Sequence, residues 1–266
     1  MPPREAPPSH SPIRAIDRFW SDERSRRRFV DRMFDDGARD YEHVERLLAL
    51  GSGPWYRRDA LRRAGLGPGM RVLDIATGTG LAAREAATLC APGGFVIGLD
   101  PSAGMLHESS TRPGALLVRG FGERLPFADA SFDFVCMGFA LRHVADLGAL
   151  LREIRRVLAP GGRTCILEIT RPKSGLANGA LRTFMTGLIP AFAGGSARRA
   201  RARELMDFYW ETIDACVSPE TVLREFAAAG FAGTARTVTL GIFSEYVARQ
   251  AAPIASAPRS GSHPKP

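Results

Sequence analysis

Lysine is nearly missing from this chain: Lys173 and Lys265 are its only two, so almost all of its 36 basic residues are arginines. With the abundant alanine and glycine, this reads as a bias of composition. It weakens the net charge of +8 and pI near 10 as a footprint of nucleic acid or anionic lipid. The arginine clusters at 24–28 and 198–203 read as solvated helix positions. No nucleic-acid partner is expected, and a contact with a membrane surface is the minority reading. Cysteine is scarce: Cys90, Cys136, Cys165 and Cys216 stand far apart with no Cys-x-x-Cys spacing, which fits reduced core thiols in a cytoplasmic protein. His10, His43, His107, His143 and His263 form no ligand spacing, so no metal site is expected. A run of about twenty apolar residues is also absent, and MPPREAPPSH lacks the apolar core of a signal peptide. The expectation is a chain neither exported nor threaded through a bilayer.

What is present is a hydrophobic content of 45% over 266 residues, enough for one well-buried α/β domain with appendages. Residues 1–12 are Pro-rich and 251–266 are rich in Ala, Ser and Pro, and both are expected to be disordered. Residues 13–69 form a helical cap, because Phe29, Met33, Phe34, Tyr41, Val44, Leu47 and Leu48 recur at helical steps. From residue 70 to 250, β and α segments alternate. Strands are expected at 71–75, 94–99, 115–119, 132–137, 163–169, 232–239 and 241–248. Helices follow Gly80, Pro101 and Asp146, and another runs from Pro219 to Ala229. Such alternation predicts a doubly wound, mostly parallel seven-stranded α/β sheet with ligands at the carboxyl ends of its strands. An insertion at 171–216, carrying Phe184, Met185, Phe192, Phe208, Tyr209 and Trp210, interrupts the rhythm before the last strand pair. It reads as a lid over the substrate or as a packing layer, and its aromatics favour the lid.

The most informative segment is VLDIATGTG at 72–80, followed by VIGLD ending at Asp100. An apolar strand enters a glycine-bearing turn and then a helix, so backbone can approach a ligand closely. An acidic residue closing the next strand can accept both ribose hydroxyls of an adenosine. The third glycine that lets a dinucleotide fold pack under a pyrophosphate is missing, which favours S-adenosylmethionine (SAM) over NAD.

With these parts placed, the chain resembles the class I SAM-dependent methyltransferases, and within them the UbiE/MenG family of quinone C-methyltransferases. The resemblance runs from about Phe34 to Gln250 and rests on VLDIATGTG, GLDPSAGML, GFGERLPFADASFDFV and FALRHVADLGALLREIRRVLAPGGRTCILEIT, then on YWETIDACVSPETVLREFAAAGF and LGIFSEYVARQ. It implies that the cofactor lies along Asp74, Ala76, Thr77, Gly78, Gly80, Asp100, Pro101, Met105, Phe121 and Gly122. It also implies a quinol or phenol acceptor, prenylated in the family's own reaction. The chain departs from the family where Phe121 replaces an Asp that accepts from the adenine amino group, and where His143 replaces an Asn. It departs further at Glu42, Glu45, Gly53, Pro54, Tyr56 and Tyr246, near the expected acceptor.

Arg142 and His143 follow the fourth strand, at the edge where an acceptor should meet the sulfonium. A histidine there can take a phenolic proton near neutral pH, or hydrogen-bond to backbone. Tyr41 is a third candidate for catalysis, chosen by resemblance and polarity, with Glu45, Tyr209, Asp214 and Tyr246 behind it. The leading function is SAM-dependent methylation of an electron-rich aromatic small molecule. Competing readings are a related C- or O-methyltransferase of secondary metabolism, a nucleic-acid methyltransferase, and a SAM-binding module without catalysis. The Met137–Ala140 segment lacks the Asn/Asp-Pro-Pro-aromatic motif of base amino-methylation, and no RNA-binding module is present. Monomer and homodimer are left open.

Overall fold

In the computed structural model, which describes residues 12, 23–111 and 114–251, the apolar runs become a seven-stranded sheet. Its strands are β1 (Arg71–Ile75), β2 (Phe95–Asp100), β3 (Leu116–Arg119), β4 (Phe132–Gly138), β5 (Leu158–Ile169), β6 (Phe231–Thr239) and β7 (Phe243–Gln250). Their spatial order is β3-β2-β1-β4-β5-β7-β6, with β7 antiparallel to both of its neighbours. Strands covered on both faces have no polar side to show, so β1 and β4 are apolar almost throughout.

Helices cover the two faces. On one side α5 (Leu147–Val157) and α9 (Pro219–Ala228) bury a stripe at helical spacing that includes Leu150, Leu151, Ile154, Val222 and Phe226. Asp146 caps α5 by accepting from Ala149 N–H at 2.8 Å. On the other side α2 (Gly53–Arg63) and α3 (Leu81–Cys90) pack Tyr56, Leu61, Ala83 and Ala86 against Val72, Phe134 and Cys165. The short α4 (Ala103–Ser110) follows β2.

The cap and the insertion form one further layer. The 26-residue α1 (Glu23–Leu48) packs with α7 (Ile189–Phe192) and α8 (Ser196–Ala215), while α6 (Gly175–Thr183) and a π-helical turn at Phe184–Leu188 connect them to β5. Met185, Met206, Phe208 and Trp210 are buried there beside Val44, with Phe29 and Phe34 against them. Asp35 fixes the height of α1, accepting from Ser102 Oγ at 2.6 Å and from Gly104 N–H at 2.9 Å.

Two expectations change. β5 starts at Leu158 instead of residue 163, because the Ala-Pro-Gly-Gly stretch stays in the sheet as a bulge: Phe132 faces Leu158, and the next paired residue, Phe134, faces Arg163. Pro12, placed at the end of the segment expected to be disordered, is buried and its carbonyl accepts from Val217 N–H at 2.7 Å. Residues 1–11 and 252–266 lie outside the described residues. Among the described residues no helix is long and apolar enough to cross a membrane.

Candidate active site

Strand order reverses between β1 and β4, where Ile75 lies opposite Met137. Each of these strands leads to a non-glycine residue at positive φ, Ala76 (φ 53°) and Phe139 (φ 61°). Such backbone costs about 1–3 kcal/mol per residue and persists only when its surroundings fix it. Thr77 N–H holds the first by donating to Leu99 O at 3.0 Å, and Phe139 N–H holds the second by donating to Leu167 O at 2.8 Å. Over this edge opens a cleft with ≈ 920 Å³ of empty space, roofed by Val30 and Phe34 of α1 and by Tyr209 of α8.

Of the residues expected at the cofactor, Ala76, Gly78, Asp100, Pro101, Met105, Phe121 and Gly122 all line the cleft. Asp100 is buried and its two oxygens accept from Gly78 N–H and Ser102 N–H, each at 2.8 Å. Burial outweighs those two bonds and pushes its pKa up to about 6. A carboxylate so desolvated gains from further donors, and paired ribose hydroxyls supply them. At Gly122 a Cβ would stand 2.7 Å from Leu150 Cδ1 and 2.9 Å from Ile75 Cγ2, so bare backbone forms this part of the wall.

Three expected cofactor contacts lie elsewhere. Asp74 is fully buried under the turn, accepting from Thr77 Oγ1 at 2.7 Å and from the Cys136 thiol at 3.4 Å, with burial raising its pKa to about 6. It orients the turn from below and does not line the cleft. Thr77 lines a smaller adjoining pocket at the turn, with ≈ 310 Å³ of empty space. Gly80, at φ 86°, lies against α4, where a Cβ would come within 2.7 Å of Ser109 Oγ. Its lack of a side chain admits Ser109.

Phe121 is 47% exposed and lines the cleft, so it is not a core residue. Phe121→Asp should therefore fold with an unchanged melting temperature and keep or tighten SAM binding, since the new carboxylate can accept from the adenine amino group. A loss of more than about 2 kcal/mol, the scale of burying an unpaired charge, would contradict the exposed placement.

His143 follows β4 in a 3₁₀ turn, Leu141–His143, and reaches the cleft. Its ring stacks on Phe208 (5.3 Å, 19°) and meets Phe34 edge-on (5.3 Å, 75°). Neither ring nitrogen has a hydrogen-bond partner among the described residues, so the backbone-bonded alternative for this imidazole is not what the structure holds. Burial, then the charges of Arg142 and Arg26, hold its pKa well below the ordinary imidazole range. Arg142 points away from this cleft. Its guanidinium is sealed in an ion pair with Glu168 and donates to Phe139 O at 2.9 Å and Thr212 Oγ1 at 3.2 Å, 4.8 Å over the Tyr209 ring. It thus fixes the turn that presents His143. Tyr41 lines the cleft and the turn pocket together, and burial raises the pKa of its phenol, which is hydrogen-bonded to Tyr209. That phenol stays protonated at neutral pH and can donate but not act as a base. Tyr246 is buried within the sheet's core, and Asp214 pairs with Arg171 at the surface.

A second cavity, with ≈ 750 Å³ of empty space, adjoins the cleft and shares Tyr41, Phe139 and Tyr209 with it. Its walls are mostly apolar, including Val44, Leu48, Ile169, Leu205 and Phe243.

The ubiE/COQ5 methyltransferase family pattern matches residues 21–249. The chain belongs to that family. It is a SAM-dependent methyltransferase. A demethylmenaquinone methyltransferase of Mycolicibacterium paratuberculosis is 35% identical over 73% of this chain and 83% of its own length. One from Mycobacterium tuberculosis is 35% identical over 71% and 77%. Among solved structures, a SAM-dependent methyltransferase from Aquifex aeolicus matches with a TM-score of 0.55 and 18% identity over 73% of this chain and 89% of its own. Phosphoethanolamine N-methyltransferase 2 of Haemonchus contortus, in complex with SAM, matches with a TM-score of 0.59 and 18% identity over 85% and 60%. These two share the fold.

Proposed function

We propose that this methyltransferase C-methylates the reduced, quinol form of an isoprenoid quinone, as the names of its mycobacterial relatives suggest. The observation that carries this reading is the mostly apolar cavity that adjoins the cofactor cleft at Tyr41, Phe139 and Tyr209. Glu45, Arg57 and Arg142 also border this cavity, but its walls are mostly apolar, and an isoprenoid tail is stabilised there by leaving water.

SAM, when bound, supplies an electrophilic methyl on a sulfonium. The methyl it would supply bonds to a ring carbon as the sulfur–methyl bond would break, its electron pair staying on sulfur. One hydroxyl proton is given up as charge builds on the ring, and when the ring proton at the new bond leaves and aromaticity returns, the oxygen regains a proton, so that one proton is lost overall. The chain's part is alignment and the path of the hydroxyl proton. His143, unprotonated and without a partner among the described residues, accepts a hydrogen bond from the quinol hydroxyl and turns the ring so that charge builds on the carbon facing the methyl.

Release of S-adenosylhomocysteine with reduced and oxidised acceptor tests the proposal. Turnover is expected with the quinol alone, because only the quinol is electron-rich. Equal turnover with the quinone would contradict it. His143→Asn should leave SAM affinity intact while turnover falls by about 10²-fold, the low end for proton-transfer assistance, because this imidazole is a weak base. Its depressed pKa also predicts that the wild-type rate shows no acid limb in the ordinary histidine range. Unchanged turnover in the variant would make His143 a packing residue.

A further inference from the structure

We propose that Arg57 binds the α-carboxylate of the cofactor's amino-acid portion, in the small pocket between the glycine turn and Tyr41. The inference rests on SAM as the cofactor and names the residue that recognises one end of it.

Arg57 lies in the first part of α2 and is 3% exposed. Its Nη2 pairs with Glu45 Oε1 at 2.7 Å, and its guanidinium carbon sits 5.2 Å over the Phe139 ring. Its Nη1 is buried with no hydrogen-bond partner among the described residues. An unpaired donor on a buried cation is costly. Arg142 Nη2 is also without a partner among the described residues, and what sets Arg57 apart is that it lines the turn pocket, which Arg142 does not.

Arg57 borders both the second cavity and the turn pocket; the latter is lined by Ala76–Thr79, Gly138 and Tyr41 among others, and among the described residues Arg57 is the only charged one in its lining. On that reading the adenosine occupies the adjoining cleft, whose wall includes Asp100 and Phe121. The amino-acid portion must then extend past Gly78 toward the turn pocket, carrying a carboxylate into a space with little water. A cation beside that carboxylate offsets its desolvation, and Arg57 is the one charged side chain that lines the turn pocket among the described residues. Its charge already acts on Asp74 beneath the turn and on Tyr41 across it, which places the guanidinium among these groups.

Calorimetry with two probes tests this: S-adenosylhomocysteine and its decarboxylated analogue, which keeps the amine and the thioether. Wild type should prefer S-adenosylhomocysteine, and Arg57→Gln should weaken that ligand by about 10-fold or more while leaving the analogue within about 2-fold. Arg57→Lys should retain part of the preference. Because Arg57→Gln strands Glu45, the neutral pair Glu45→Gln with Arg57→Gln is measured beside it and should show the same selective loss. Equal weakening of both probes, an unchanged preference in the variants, or no preference in wild type would each overturn the assignment of Arg57. Wild type that binds neither probe would overturn the cofactor reading itself, a result distinct from any of these.

Discussion

Glu168→Leu is expected to lower stability by about 3–5 kcal/mol, because it strands the Arg142 guanidinium in a site where both partners are about 1% exposed. Glu168 also accepts from Ile169 N–H at 2.8 Å and Arg142 N–H at 3.2 Å, so the turn at Leu141–His143 loosens with it. Arg142→Met alone should cost a similar amount, leaving the carboxylate uncompensated. The double variant should recover much of the loss, since removing both charges also removes both desolvation costs. Chemical denaturation of the four proteins measures this. If Glu168→Leu costs less than about 1 kcal/mol, the pair is not holding the turn.

Asp100→Ala should weaken SAM by roughly 10- to 150-fold, the equivalent of about 1.5–3 kcal/mol for hydrogen bonds to a charged group. The raised pKa adds a pH signature. Hydroxyl donors select the ionised carboxylate, so affinity should fall as pH drops below about 6 in wild type and lose that dependence in the variant. In the free enzyme the sign is opposite. A carboxyl raised from 3.8 to about 6 gives stability that is complete below 3.8 and lost as pH rises through about 6. The cofactor's stabilisation against melting should therefore be larger at about pH 7.5 than at about pH 5. Unchanged affinity in a folded Asp100→Ala protein would remove Asp100 from the site.

Much of this was legible because the strands that carry it are covered on both faces. β1, β2 and β4 show as apolar runs, and the glycine turn after β1 stands out beside the acidic residue that ends β2. The Ala-Pro-Gly-Gly stretch hid the start of β5, since residues that usually end pairing here occupy a bulge. The helical period of α1 was readable, but not which face meets the cleft. That is set by Asp35 bonding to α4, a contact across 67 residues. Arg142 looked like an edge residue because its partner, Glu168, lies in another strand, 26 residues away. Arg57 gave no signal at all: one arginine among many on a helix reads as solvated until burial and an unpaired nitrogen single it out.

The central claim is methyl transfer to a quinol carbon, and the fate of a labelled methyl group tests it most directly. The enzyme is incubated without oxygen with deuteromethyl-SAM and a reduced isoprenoid naphthoquinol lacking the ring methyl, and the product is read by mass spectrometry and NMR. The account predicts a deuterated methyl on a ring carbon, matched mole for mole by S-adenosylhomocysteine. Label on the hydroxyl oxygen, or an acceptor that stays unlabelled in the presence of enzyme shown to bind SAM, would contradict it.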